Sequence, residues 1–102
     1  MLPPVTRQIE PAVARFLFSG GTLRDLRLAT IPAIHEVDEQ DEPALQDLAD
    51  ELTLRFAEDD HGDWTEAELR EQLHAYLQEQ WPDLHARLRS LATVAAGTAT
   101  TR

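Results

Sequence analysis

The chain has 102 residues, enough for one domain and too few for two. Hydrophobic residues make up 42%, the share of an ordinary folded domain, so one modest core with a thin margin is expected. Nineteen acids face nine bases, all arginine, for a formal net charge of −10, and cysteine is absent. That excludes disulfides, thiolate nucleophiles and thiolate metal sites, and argues against direct contact with nucleic-acid phosphates or anionic membranes.

Residues 1–8 contain Pro3 and Pro4 and little to bury, and are expected to form an extended arm. Residues 9–97 are expected to make one helical domain. Its first helix runs from Ile9 or Pro11 to Phe18, with Ile9, Ala12, Val13, Phe16 and Leu17 on its apolar side. Ser19-Gly20-Gly21 should stop it, because glycine readily takes the left-handed conformation that ends helices. Thr22 is a good N-cap for a second helix from Leu23 to about Thr30, and Asp25 suits the positive end of its dipole. Leu26 to Ile31 also partly alternates, so a strand is the competing assignment. Pro32 should interrupt either element.

Glu36 to Glu42 places five acids in seven residues, the pattern of a solvated connector. Asp41 is expected to cap the third helix, with Pro43 in its first turn and Phe56 or Ala57 at its end. Glu42 to Trp81 is expected to be the unit that organises the chain, two helices joined by an acidic loop at Glu58–Asp63. Leu45, Leu48, Ala49, Leu52 and Phe56 share one face of the first, and Leu69, Leu73, Tyr76, Leu77 and Trp81 one face of the second. Thr65 followed by Glu68 is a capping box, and Trp64 with Leu69 a hydrophobic staple, so the fourth helix should begin near Thr65. It ends near Gln80, where Trp81-Pro82 breaks it. A fifth helix then carries Leu84, Leu88, Leu91, Ala92 and Ala95 and should end at Gly97, leaving residues 98–102 as a disordered tail.

The segment from Phe56 to Leu69 resembles an EF-hand loop with its apolar flanks. With Ala57 as the first loop position, Asp59 falls at the third, His61 at the fifth, Gly62 at the sixth, Trp64 at the eighth and Glu68 at the twelfth. The resemblance implies a cation site with Asp59, Asp63 and Glu68 as candidate ligands. It departs from the family's pattern at Ala57, which supplies no oxygen, and at His61, which offers nitrogen to a hard cation. No useful calcium affinity is therefore expected, and no cofactor.

His35, His61, His74 and His85 form no close metal-binding pair. Glu71 and His74 have the spacing of a di-iron helix, but only one copy exists, and His74 is read as a surface histidine. The first two helices around Ser19-Gly20-Gly21 could imitate a helix-turn-helix with Arg24 and Arg27 on phosphates, yet two arginines are too few in so acidic a chain. No Gly-rich phosphate loop or activated serine context is present, so no catalysis is expected. Trp64, Tyr76 and Trp81 are the partner-binding candidates, since aromatic residues anchor interfaces when exposed.

The fold expected is all-α, a single bundle of four or five short helices. The function expected is that of a non-catalytic acidic interaction or regulatory module binding a partner protein, with a homodimer possible. The alternatives are a degenerate EF-hand-like cation-binding module and an accessory subunit of a larger enzyme or nucleic-acid complex. No membrane-spanning run and no leader are visible, and a cytoplasmic location is expected.

Overall fold

Five helices follow one another in the computed structural model, which describes residues 9–37, 42–62 and 64–100. They are α1 (Ile9–Phe18), α2 (Leu23–Ile34), α3 (Pro43–Asp60), α4 (Glu66–Gln80) and α5 (Pro82–Thr100), and there is no strand among the described residues. The expected arm at 1–8, the middle of the acidic connector at 38–41, and Asp63 lie outside the described residues.

The element on which the others pack is α1. Its Ile9, Ala12, Val13, Ala14, Phe16 and Leu17 are all buried, an apolar surface wide enough to be covered from several sides. α2 and α5 lie closest against it, α4 also reaches it, and α3 joins through α2. This corrects the expectation that residues 42–81 organise the chain. α3 and α4 are neighbours in sequence but do not pack closely on each other. Each turns its apolar face into the shared core instead: Leu45, Leu48, Leu52 and Phe56 from α3, and Leu69, Leu73 and Leu77 from α4. Leu84, Leu88 and Ala92 of α5 close that core.

Four helix boundaries differ from the expected ones. α2 does not stop at Thr30 but runs to Ile34 with Pro32 inside it. Its core face, Leu23, Leu26, Thr30 and Ala33, is spaced by three, four and three, and that burial outweighs the single backbone bond proline removes in the last turn. The Thr30 hydroxyl is buried and donates to the Leu26 carbonyl at 2.6 Å. α3 continues through Glu58, Asp59 and Asp60, which were expected to be loop. Arg55 ties Glu51 and Glu58 along the helix, and Arg27 of α2 neutralises Asp59 and Asp60 from outside it. Gly62, at φ +76°, then turns the chain in the left-handed conformation that glycine adopts most easily. α5 passes through Gly97 to Thr100, since a glycine inside a helix costs only about 1 kcal/mol relative to alanine. At the start of α3 the N-cap is Glu42, with no side-chain cap bond, rather than Asp41.

The α1–α2 turn is held by side chains of α4 spaced one turn apart. Glu66 Oε1 accepts from the Leu23 N–H at 2.7 Å, satisfying an orphan donor at the start of α2. Arg70 Nε donates to the Phe16 carbonyl at 2.8 Å and its Nη2 to the Gly21 carbonyl at 3.0 Å. A His74 ring nitrogen lies 3.1 Å from the Leu17 carbonyl. An acid thus meets a helix start and basic groups meet a helix end, the arrangement the two helix dipoles favour. A Cβ at Gly21 would lie 3.1 Å from the Arg15 carbonyl, so the tight turn wants glycine there. The start of α4 matches expectation: Thr65 and Glu68 exchange both bonds of a capping box.

Candidate interaction surface

The core-facing residues of α2 leave its opposite side outward. Leu28 and Ile31, three residues apart on that side, are 66% and 40% exposed. With Leu23, Arg24, Arg27 and Asp59 they line an open depression of about 410 Å³ between α2 and the end of α3. The floor is fixed by Arg27. Its guanidinium lies 5.1 Å from the centre of the Phe56 ring and bonds to Asp59 at 3.0 Å and Asp60 at 2.9 Å. That hydrogen bond, and the positive charge behind it, hold the Asp60 carboxyl below its usual range. Arg24 stands exposed at the rim and makes no bond to a carboxylate among the described residues. Apolar side chains beside an unmatched cation suit a partner that brings aliphatic groups and a carboxylate.

Leu28 and Ile31 were not among the sequence candidates. Once α2 ends at Thr30, Ile31 falls outside it, and the two residues cannot form a stripe. Extending the helix to Ile34 makes Arg24, Leu28 and Ile31 a row at steps of four and three, opposite the buried row.

The aromatic candidates are secured from within the chain. Trp64 is half-buried, donates from Nε1 to Glu58 at 2.9 Å, and has Arg55 5.8 Å from its ring centre. Trp81 is half-buried and donates from Nε1 to Asp47 at 2.9 Å. Tyr76 packs against the core near Trp81, and burial first, then the carboxylates of Asp47 and Glu51, push its phenol above the ordinary value. Trp64 and Trp81 therefore brace the two ends of α4, and Tyr76 packs along it, each with at least part of its ring.

Of the candidate cation ligands, Asp63 lies outside the described residues, and Asp59 and Glu68 are each engaged by the chain itself. Asp59 is on the last turn of α3 with its carboxylate on Arg27. Glu68 Oε1 accepts from the Thr65 N–H at 2.9 Å. Among the described residues no three histidine or carboxylate side chains converge on a point where a metal would sit. The phosphate-contact role imagined for Arg27 is likewise taken up by the two aspartates. Glu71 is exposed, away from any second carboxylate–histidine motif.

His74 is not the surface histidine expected. It is half-buried, with one ring nitrogen on the Leu17 carbonyl and the other 3.0 Å from Nε2 of His85. Pairing it with His85 required knowing that α4 and α5 fold back side by side at Trp81-Pro82, which spacing within either helix does not reveal. No helix among the described residues is long and apolar enough to cross a membrane. No family model, curated protein or solved structure matches the chain.

Proposed function

We propose that this chain is a non-catalytic helical interaction module whose docking face is the outward side of α2. The observation that carries the reading is the adjacent exposure of Leu28 and Ile31 over an open depression, beside Arg24, which bonds to no carboxylate among the described residues. Other large apolar side chains are mostly spent on the core, while here two stand together on one helix face. Every buried side-chain nitrogen and oxygen among the described residues has a partner, so none is left aimed into a cavity to bind substrate. The partner suited to the face is a helix or loop presenting aliphatic side chains and an acid. The long acidic flank of α3 and α4 would keep other anionic proteins away.

The broad apolar faces of α3 and α4 are buried in the chain's own core, so self-association would use a different surface. The α2 face, with two exposed apolar side chains together, is the route proposed for a second copy.

The test is affinity capture from an extract of the source cells with immobilised wild-type chain, Leu28→Asp and Leu54→Asp. Leu54 is an exposed leucine on α3 and serves as the surface control. The expected result is a partner retained by wild type and Leu54→Asp and lost by Leu28→Asp, with unchanged helicity in all three. A partner held equally by Leu28→Asp removes the α2 face from consideration.

A further inference from the structure

The contacts of His74 and His85 leave one arrangement of protons when both rings are neutral. The Leu17 carbonyl only accepts, so His74 carries its proton on Nε2, 3.1 Å away. His74 Nδ1 is then a bare lone pair and must accept. His85 must therefore carry its proton on Nε2 and donate it across 3.0 Å. The edge of the pair is closed by Phe18, whose ring lies 5.0 Å from His74 and 5.3 Å from His85, steeply tilted to both. Three helices meet here: α1 through Leu17 and Phe18, α4 through His74, and α5 through His85.

A first added proton has a place to go. It binds His85 Nδ1 and leaves both hydrogen bonds standing. A second proton has only His74 Nδ1, the atom that accepts from His85. Binding there would set two N–H groups face to face at 3.0 Å and two cations in contact. The surroundings compensate only in part: the carbonyl end of α1 and the Phe18 ring favour a cation, but the charged side chains nearby are positive. α5 adds Arg89, whose charge bears on His85. α4 adds Arg70, one turn before His74 and held on the Phe16 and Gly21 carbonyls. Its nearest acid toward this end, Glu71, is exposed, and α1 offers only a carbonyl and an aromatic ring. No carboxylate is bonded to either imidazole among the described residues. Burial first, then His74 and Arg89, hold His85 below the usual histidine range.

We infer that the His74–His85 contact is a proton-operated latch, closing α4 and α5 over Phe18 while the pair carries at most one proton and parting them when the second binds. His74 keeps its bond to Leu17 in either state, so the opening lies between α4 and α5. The sign follows from the reference state. In the unfolded chain both rings take protons near pH ~6.5. In the fold, His85 is held below that range and the contact admits a second proton only by breaking, so the latch's contribution is complete above that pH and is lost as pH falls below it.

Imidazole nitrogen NMR of the wild-type chain from about pH 8 to about pH 5 tests this directly. At the upper end His74 should show the Nε2–H tautomer. On acidification the pair should take up its protons in two coupled steps, and the cross-relaxation between the Phe18 and His85 rings should vanish with the second step. His74 in the other tautomer, the two rings titrating independently of each other, or a Phe18–His85 contact that survives double protonation would each overturn the latch. In a parallel arm, His85→Gln keeps an amide donor for His74 but cannot titrate. Between about pH 6.5 and about pH 5.5 the wild-type folding constant should fall up to about tenfold more per pH unit than that of the variant. Equal slopes overturn the inference as well.

Discussion

Arg70 lies where the last carbonyls of α1 have run out of helical donors, a deficit every helix end must resolve. Its guanidinium answers two carbonyls at once and stacks 4.6 Å from the centre of the Phe16 ring. Arginine suits this position because its planar fork offers several donors in fixed directions. Arg70→Met would keep the aliphatic stem over Phe16 and remove the donors. The expected loss is about 1–3 kcal/mol, the usual cost of leaving such acceptors without a charged partner, measured by urea denaturation. An unchanged midpoint would show that water replaces the guanidinium without penalty. None of this is visible in the residue's sequence neighbourhood, where Arg70 is one base among many acids. Arg27 is similar: its pairing with Asp59 and Asp60 depends on α2 and α3 lying together, far apart in sequence.

Among the elements, the α3–α4 connection carries the sharpest expectation. The Thr65–Glu68 capping box is internal to the chain and forms as the sequence indicated, because all of its groups lie within one turn. The acids before it behave otherwise. Local repulsion favours a loop at Glu58–Asp60, but Arg27 and Arg55 supply enough positive charge to keep that stretch helical. A helix there turns Asp59 toward α2 rather than toward a bound ion. Millimolar calcium should therefore leave Trp64 fluorescence and the melting temperature unchanged at about 0.15 M salt, where exposed charges are screened within about 8 Å. Thr65→Ala should cost about 1 kcal/mol whether or not calcium is present. A saturable fluorescence response near micromolar calcium would restore Asp59 and Glu68 as ligands. The end of α2 teaches the converse lesson about Pro32. Proline's local preference ends a helix only where burial beyond it does not compensate, and Ala33 is fully buried.

For the molecule as a whole, the balance of core and surface decides association. The apolar faces of four helices are used up around α1, and the α2 face alone is small beside the roughly 800 Å² per partner that a stable interface buries. Sedimentation velocity should show any dimer to be weak and to disappear in Leu28→Asp. A tight dimer indifferent to that substitution would place the interface elsewhere. Circular dichroism should report a predominantly helical chain for both proteins, since Leu28 is not part of the core.

Residue spacing and caps were enough to indicate a mainly helical bundle, most of the buried residues and the start of α4, while leaving the count at four or five helices and α2 open between helix and strand. Those properties depend on neighbours three or four positions away, which share a helix turn. The hub at α1, the helical course of Glu58–Asp60, the outward stripe at Leu28 and Ile31 and the His74–His85 contact came from packing. Each depends on which helices are laid side by side, and a charge or an imidazole changes its role when a distant element supplies its partner. Periodicity within one helix carries no information about that partner, so the core residues were legible and the surface that remains after packing was not.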